Sequence, residues 1–246
     1  MRPYIASDAA IARVRTRLKQ AKSVFVLTGA GMSAESGLPT FRGTGGLWQT
    51  HRVEELASPE GFARDPELVW TWYNERRAAH AGARPNAGHR ALAALERGCS
   101  DFMLATQNVD SLHLRAGSRD VVELYGNLRE ARCDRCGARE SLARGLPLER
   151  IFHDCGGRLR PDIVWFGEPL PQAPWRRAAA AAARADTVLV IGTSGLVNPA
   201  ASLVTSYPRG GACVIEINPE ATTMSDRADE ILKGEAAKIL PDLIEA

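Results

Sequence analysis

The chain carries four groups of residues whose types and spacing could do chemistry. The first is Gly29-Ala30-Gly31-Met32-Ser33-Ala34-Glu35, directly after the apolar run Val24-Phe25-Val26-Leu27. A buried strand opening onto Gly-x-Gly-x-x-Ala lets the backbone approach a pyrophosphate closely, and the free N–H groups of a helix begun at Ser33 can face its charge. The second is Gln107-Asn108-Val109-Asp110, two amides and a carboxylate at the end of another apolar run. Asn108 and Asp110 suit hydrogen bonding to a carboxamide or the ordering of a water; an ordinary turn would use the same residues. The third is Cys133-x-x-Cys136 with Cys155, soft ligands at the spacing of a zinc knuckle. Three sulfurs leave a tetrahedral site one ligand short, and His153, Asp154 or a water could close it. Gly192-Thr193-Ser194 and Asn218, each after a later apolar run, add a glycine, hydroxyls and an amide able to bind ribose and phosphate.

These groups need a scaffold that presents strand ends to one crevice. Apolar residues at helical spacing predict helices over 8–22, 66–80, 86–97 (with Gly98 as the stop), 175–185 and 234–245, and Ser58-Pro59-Glu60 marks a further helix start. Short apolar runs predict strands over 23–28, 102–105, 121–124, 187–191 and 214–217. Such alternation predicts a Rossmann-like α/β fold, with a doubly wound, mostly parallel sheet. The Arg-, Gly- and Cys-rich stretch 129–160 reads as a small inserted zinc-binding module. It divides a main domain of residues 1–128 and 161–246, which resumes at Ile163-Val164-Trp165-Phe166. Gly37, Pro39, Gly43, Gly45 and Gly46 break any long helix after the first glycine turn, so the segment through Trp48 reads as a long functional loop carrying Phe41 and Arg42. A helical part of the small domain is expected within 36–85.

A net charge of +2 over 246 residues contains no polybasic block, which argues against nucleic acid or an anionic membrane as partner. No apolar run is long enough to span a bilayer, and no secretory segment opens the chain. Five cysteines, an odd number, suit a reducing compartment and a metal site better than a disulfide framework. A cytoplasmic monomer is expected, with Cys99 and Cys213 as core residues.

The run GAGMSAESGLPTFRG followed by GTGGLW resembles the NAD-binding signature of the sirtuins, the NAD-dependent protein-lysine deacylases, and the resemblance extends from residue 20 to 244. It implies NAD as co-substrate, held by Gly29, Ala30, Gly31, Ser33, Glu35, Pro39, Phe41, Arg42, Trp48, Gln107, Asn108, Val109, Asp110, Gly192, Thr193, Ser194, Asn218, Pro219, Glu220 and Ala236. Asn108 and Asp110 would serve the nicotinamide end. It implies acylated-lysine protein or peptide substrates, paired as an added strand between Val164-Trp165-Phe166-Gly167-Glu168 and a segment containing Val197. Tyr73 and Arg76, three apart on one helix face, resemble the Tyr-x-x-Arg pair of the class that prefers succinyl and malonyl groups, with Ala57 as the small residue widening the acyl pocket. A structural zinc is implied too. Where the family places a fourth cysteine this chain has Phe152, which leaves His153, Asp154 or a water to close the site.

One departure bears on catalysis. In the segment matching Glu123-Leu124-Tyr125-Gly126-Asn127 the family carries its general-base histidine where this chain has Tyr125. An imidazole with pKa near 6.5 is mostly available as a base at neutral pH, whereas a phenol near 10 is ionised in roughly one molecule in a thousand. Either Tyr125 silences an otherwise ordinary deacylase, or the protein is a non-catalytic binder of NAD or acyl-lysine. His113 matches a position that the family also fills with histidine and reads as structural. An NAD-dependent dehydrogenase would also fit the glycine turn alone, and NAD hydrolysis or ADP-ribosyl transfer would need no acyl-lysine.

Overall fold

The computed structural model describes residues 7–40, 53–142, 147–208 and 210–244. Six strands, β1 (Ser23–Thr28), β2 (Asp101–Thr106), β3 (Val121–Glu123), β7 (Thr187–Ile191), β8 (Cys213–Asn218) and β9 (Glu230–Lys233), form one sheet in the order β3-β2-β1-β7-β8-β9, with every pairing parallel. Five successive buried residues in β1, β2 and β7 are what a parallel strand covered on both faces requires. One face packs on α1 (Asp8–Gln20), α5 (Ala87–Gly98) and α9 (Ala236–Leu243), through Val14, Leu92 and Leu240 among others. The other packs on α7 (Gln172–Arg184) and α8 (Ser202–Thr205), where the alanines 178, 179, 181 and 182 let α7 lie close against Phe25 and Val188. Strand order reverses between β1 and β7, so a crevice lies outside the carboxyl ends of these strands.

A second, antiparallel sheet runs β5-β4-β6, from β4 (Gly126–Cys133), β5 (Arg139–Ser141) and β6 (Leu159–Ile163). Its apolar side shares a cluster with α2 (Val53–Leu56), α3 (Pro59–Arg64) and α4 (Pro66–Ala81), centred on Trp70, Tyr73, Leu128 and Trp165. Trp70 Nε1 donates to the Leu159 carbonyl at 2.8 Å, fixing α4 to β6.

Several sequence expectations are corrected. Ile163, where the main domain is expected to resume, ends β6 of the small sheet and pairs with Gly126, and β4 begins three residues before 129. Gly98 lies inside α5, whose cap is Cys99. Residues Ala30–Ser36 form a 3₁₀ helix, β9 and α6 (Leu112–Arg115) were not foreseen, and Cys99 and Cys213 sit only half-buried at the rim of the core.

Candidate nucleotide site and metal centre

The floor of the crevice is backbone. Gly31 N–H donates to the Gly192 carbonyl at 2.8 Å, Gly29 N–H to that of Ile191 and Gly192 N–H to that of Ile217, both at 3.0 Å. A Cβ on Gly31 would lie 2.8 Å from Gly192 Cα, and one on Gly192, whose φ is +59°, would lie 2.4 Å from Met32 N. Neither position admits a side chain. Around this floor Gln107 Nε2 donates to Thr193 Oγ1 at 2.8 Å and Asn218 Nδ2 to the Thr193 carbonyl at 3.2 Å, lacing the ends of β2, β7 and β8 together. Ser194 O accepts from Thr223, and Pro219 and Glu220 continue the rim after β8. Ala236 opens α9, where Ala237 N–H donates to Glu35 at 3.4 Å; burial nonetheless raises the Glu35 carboxyl above its ordinary range.

Beside the floor lies a closed hydrogen-bond network. Ser33 Oγ donates to Asp110 Oδ2 at 2.8 Å, and Asn108 Nδ2 donates to Ser33 Oγ at 3.1 Å and to the Gly29 carbonyl at 3.0 Å. Asn86 N–H donates to His89 Nδ1, so Nε2 carries the ring proton and faces Ser33 Oγ at 3.4 Å. That leaves the serine's own proton for Asp110. The other Asp110 oxygen accepts Leu112 N–H at 2.8 Å, and Ser111 between them adopts φ +59°, among the described residues the one non-glycine in the left-handed region. His113 Nε2 lies 3.0 Å from Thr28 Oγ1, whose hydroxyl donates to Thr106 Oγ1. Burial, with Arg90 nearby, lowers the His89 pKa to about 4; burial, with His89 alongside, holds His113 well below the ordinary imidazole range.

Tyr125 is half-buried and packs against both the α7-side cluster and the small-sheet cluster, with its carbonyl accepting Val164 N–H at 2.9 Å. Two residues on, Asn127 Nδ2 bridges Ser111 Oγ at 2.6 Å and Glu123 Oε2 at 2.7 Å, tying this strand to the Asp110 turn.

Near the small sheet Tyr73 and Arg76 are both buried. The Tyr73 hydroxyl accepts from Trp165 Nε1 at 2.9 Å, and the Arg76 guanidinium stacks 4.7 Å from the Trp72 ring and 5.7 Å from that of Tyr73. Ala57, also buried, accepts Phe166 N–H at 3.0 Å through its carbonyl. Trp165 is buried, Phe166 and Gly167 are exposed, and Val164 and Val197 are half-buried. Glu168 accepts two hydrogen bonds from Arg160, at 2.5 and 2.8 Å, and a third from Trp165 N–H at 2.8 Å. It therefore shapes this segment from within.

Cys133, Cys136, His153 and Cys155 place one donor atom each within 4.8 Å of one another. The Cys133 and Cys155 sulfurs are 3.4 Å apart, and Cys136 Sγ is 3.6 Å from His153 Nδ1. Two sulfurs each about 2.3 Å from a tetrahedral zinc would be ~3.8 Å apart, so the set fits that ion and matches its preference for thiolate and imidazole. A Cβ on Gly157 would strike Cys133 Sγ at 2.6 Å, so the turn holds a glycine where the sulfur needs room. The backbone N–H groups of Cys136 and then Arg135 pull the Cys133 thiol below its ordinary range, towards the thiolate a metal needs. Phe152 is exposed and Asp154 is outside the cluster.

Residues 29–199 match the model of the Sir2 family. The chain belongs to that family, the sirtuins. It is 51% identical over 231 residues to the NAD-dependent protein deacylase 2 of Pyrobaculum aerophilum, covering 93% of this chain and 92% of the relative. Among solved structures it is similar to a Sir2 homologue–NAD complex (45% identity, 95% of this chain and 92% of the other, TM-score 0.88). It is also similar to a Sir2 histidine-to-tyrosine mutant holding a p53 peptide and NAD (31% identity, 96% and 97%, TM-score 0.82).

In this sirtuin the structure brings Gly29, Gly31, Ser33, Asn108, Asp110, Gly192, Thr193 and Asn218 into one crevice, while Phe41, Arg42 and Trp48 lie outside the described residues. Sequence reasoning missed His89, Thr28 and Thr106. An Asn-x-x-His opening a helix, as at Asn86 and His89, could have flagged the first as a capping residue whose second nitrogen is free for other use. Among the described residues no helix is long and apolar enough to cross a membrane.

Proposed function

We propose that this sirtuin is an NAD-dependent protein-lysine deacylase acting on succinyl-, malonyl- and acetyl-lysine, and that Tyr125 at the base position slows its turnover. The observation that carries the reading is the Ser33–Asp110–Asn108 network beside a side-chain-free crevice floor, a fixed set of polar groups next to a place for a pyrophosphate. The names of its relatives support NAD as co-substrate and an acylated protein as partner. NAD would supply an electrophilic ribose carbon on loss of nicotinamide; the acyl group would leave on ADP-ribose. Asp110 and Asn108 would hold the carboxamide end, and Gly31, Gly192, Thr193 and Asn218 the phosphates and riboses.

The buried Arg76 guanidinium beside Tyr73 supports an acidic acyl group, because a guanidinium can hold a carboxylate through paired N–H···O bonds. We read the metal centre as structural, with Cys133, Cys136, Cys155 and His153 as ligands, and the protein as a cytoplasmic monomer. A second reading rests on Tyr125 alone: a protein that binds NAD and acyl-lysine without turnover. A solved histidine-to-tyrosine Sir2 mutant that holds both peptide and NAD supports the compatibility of such a site with binding. Nicotinamide release with a succinyl-lysine peptide, compared between this chain and Tyr125→His, separates the two. A large gain supports the impaired deacylase; silence in both with intact NAD binding favours the binder.

A further inference from the structure

The C-terminal end of α4, the start of α5 and the end of α6 line a concavity of about 530 Å³. We propose that it is a binding site for a small multivalent anion of the phosphate type. Three guanidiniums, those of Arg84, Arg90 and Arg115, line it over the small residues Ala81, Gly82 and Ala116, and among the described residues no carboxylate lines it. Arg84 and Arg115 are exposed, and neither guanidinium has a hydrogen bond or ion pair among the described residues. Arg90 Nη1 donates to the Pro85 carbonyl at 2.6 Å, which holds its planar fork at the rim.

Helix ends do not account for this arrangement. Arg115 in the last turn of α6 and Arg84 just beyond α4 sit where a cation offsets the carbonyl ends. Arg90 is in the first turns of α5, where a positive side chain opposes the helix dipole. Three like charges around one hollow repel one another unless an anion enters, and guanidiniums bind phosphate oxygens in pairs of N–H···O bonds. None of its described lining residues is among those that form the floor and network of the nucleotide crevice.

The test is calorimetric titration of the full chain with inorganic pyrophosphate at low ionic strength, with the crevice saturated by ADP-ribose. We expect one equivalent to bind with ADP-ribose present. Its affinity should fall at least tenfold in the Arg84→Ala/Arg115→Ala double variant, with a shallower salt dependence. All three arginines are exposed, so the variant should keep its melting temperature. Should it not fold, Arg84→Gln and Arg115→Gln singly should each weaken binding about threefold. Abolition of binding by ADP-ribose, equal binding by wild type and variants, or an absence of binding would each overturn the proposal. The heat of ADP-ribose binding in the same experiment reports separately on the crevice.

Discussion

Ser33 Oγ stands 2.8 Å from Asp110 Oδ2 and gives it its only proton, because the same oxygen already faces Asn108 Nδ2 and His89 Nε2. Ser33→Ala would strip a buried carboxylate and a buried amide of one partner each. A buried polar group left unpaired costs about 1–3 kcal/mol, and each kcal/mol lowers the melting temperature of a chain this size by roughly 2–4 °C. We expect a melting temperature several degrees lower together with slower nicotinamide release, read by differential scanning calorimetry and a release assay. A variant equal to wild type in both would remove Ser33 from the site.

His89 makes the fold sensitive to acid. Its folded pKa of about 4 lies below the unfolded value near 6.5, so the unfolded chain binds the extra proton between these limits. Stability from this residue is full above about pH 6.5 and declines as the pH falls towards 4, by at most about 3 kcal/mol. His89→Gln should be less stable at neutral pH and show a flatter melting-temperature profile over that window. Parallel profiles would contradict the assignment.

Tyr125→His should raise deacylation at least a hundredfold, since general-base catalysis contributes about 10²–10⁴ in rate. The gain should appear in kcat with little change in NAD affinity, because Tyr125 packs at the junction of two apolar clusters.

Arg76→Ala should weaken succinyl-lysine use by tenfold or more relative to acetyl-lysine, measured as the ratio of kcat/KM values. The ratio matters because burial means that the substitution also removes packing on Trp72 and lowers stability for both substrates alike. An unchanged ratio would refute an acyl-reading role.

Zinc analysis should find one ion per chain, and His153→Ala should weaken its retention against a chelator. Cys136→Ser should do so more strongly, because a thiolate is the firmer ligand. Both should melt earlier, since binding energy at such a site is folding energy.

Much of the frame was legible in the sequence because parallel strands buried on both faces spell continuous apolar runs, as in Val24–Leu27 and Val188–Ile191. The helix at Pro59 announced itself through Ser58, whose hydroxyl accepts the Gly61 N–H at 2.9 Å. The edge strand Glu230–Lys233 did not, being four residues long and mostly half-exposed. Nor did β4, where Asn127, Arg129, Glu130 and Arg132 interrupt the apolar pattern. Of the candidate site, the turn at Gly29–Gly31 and the Gln107–Asp110 cluster were legible, because each is a local run at the end of an apolar strand. His89 reaches Ser33 across 56 residues, and Glu168 reaches Arg160 in a clamp around Trp165. Periodicity is blind to such tertiary pairings.

The contact between Gly31 and Gly192 has a consequence for how this protein could change over time. A surface made of main-chain amides has nothing for a point mutation to exchange, and any side chain added there collides with the opposite turn. If phosphates rest on this floor as proposed, hold on them is insulated from drift, and new preferences would arise along the walls, at residues such as Gln107, Thr193 and Asn218.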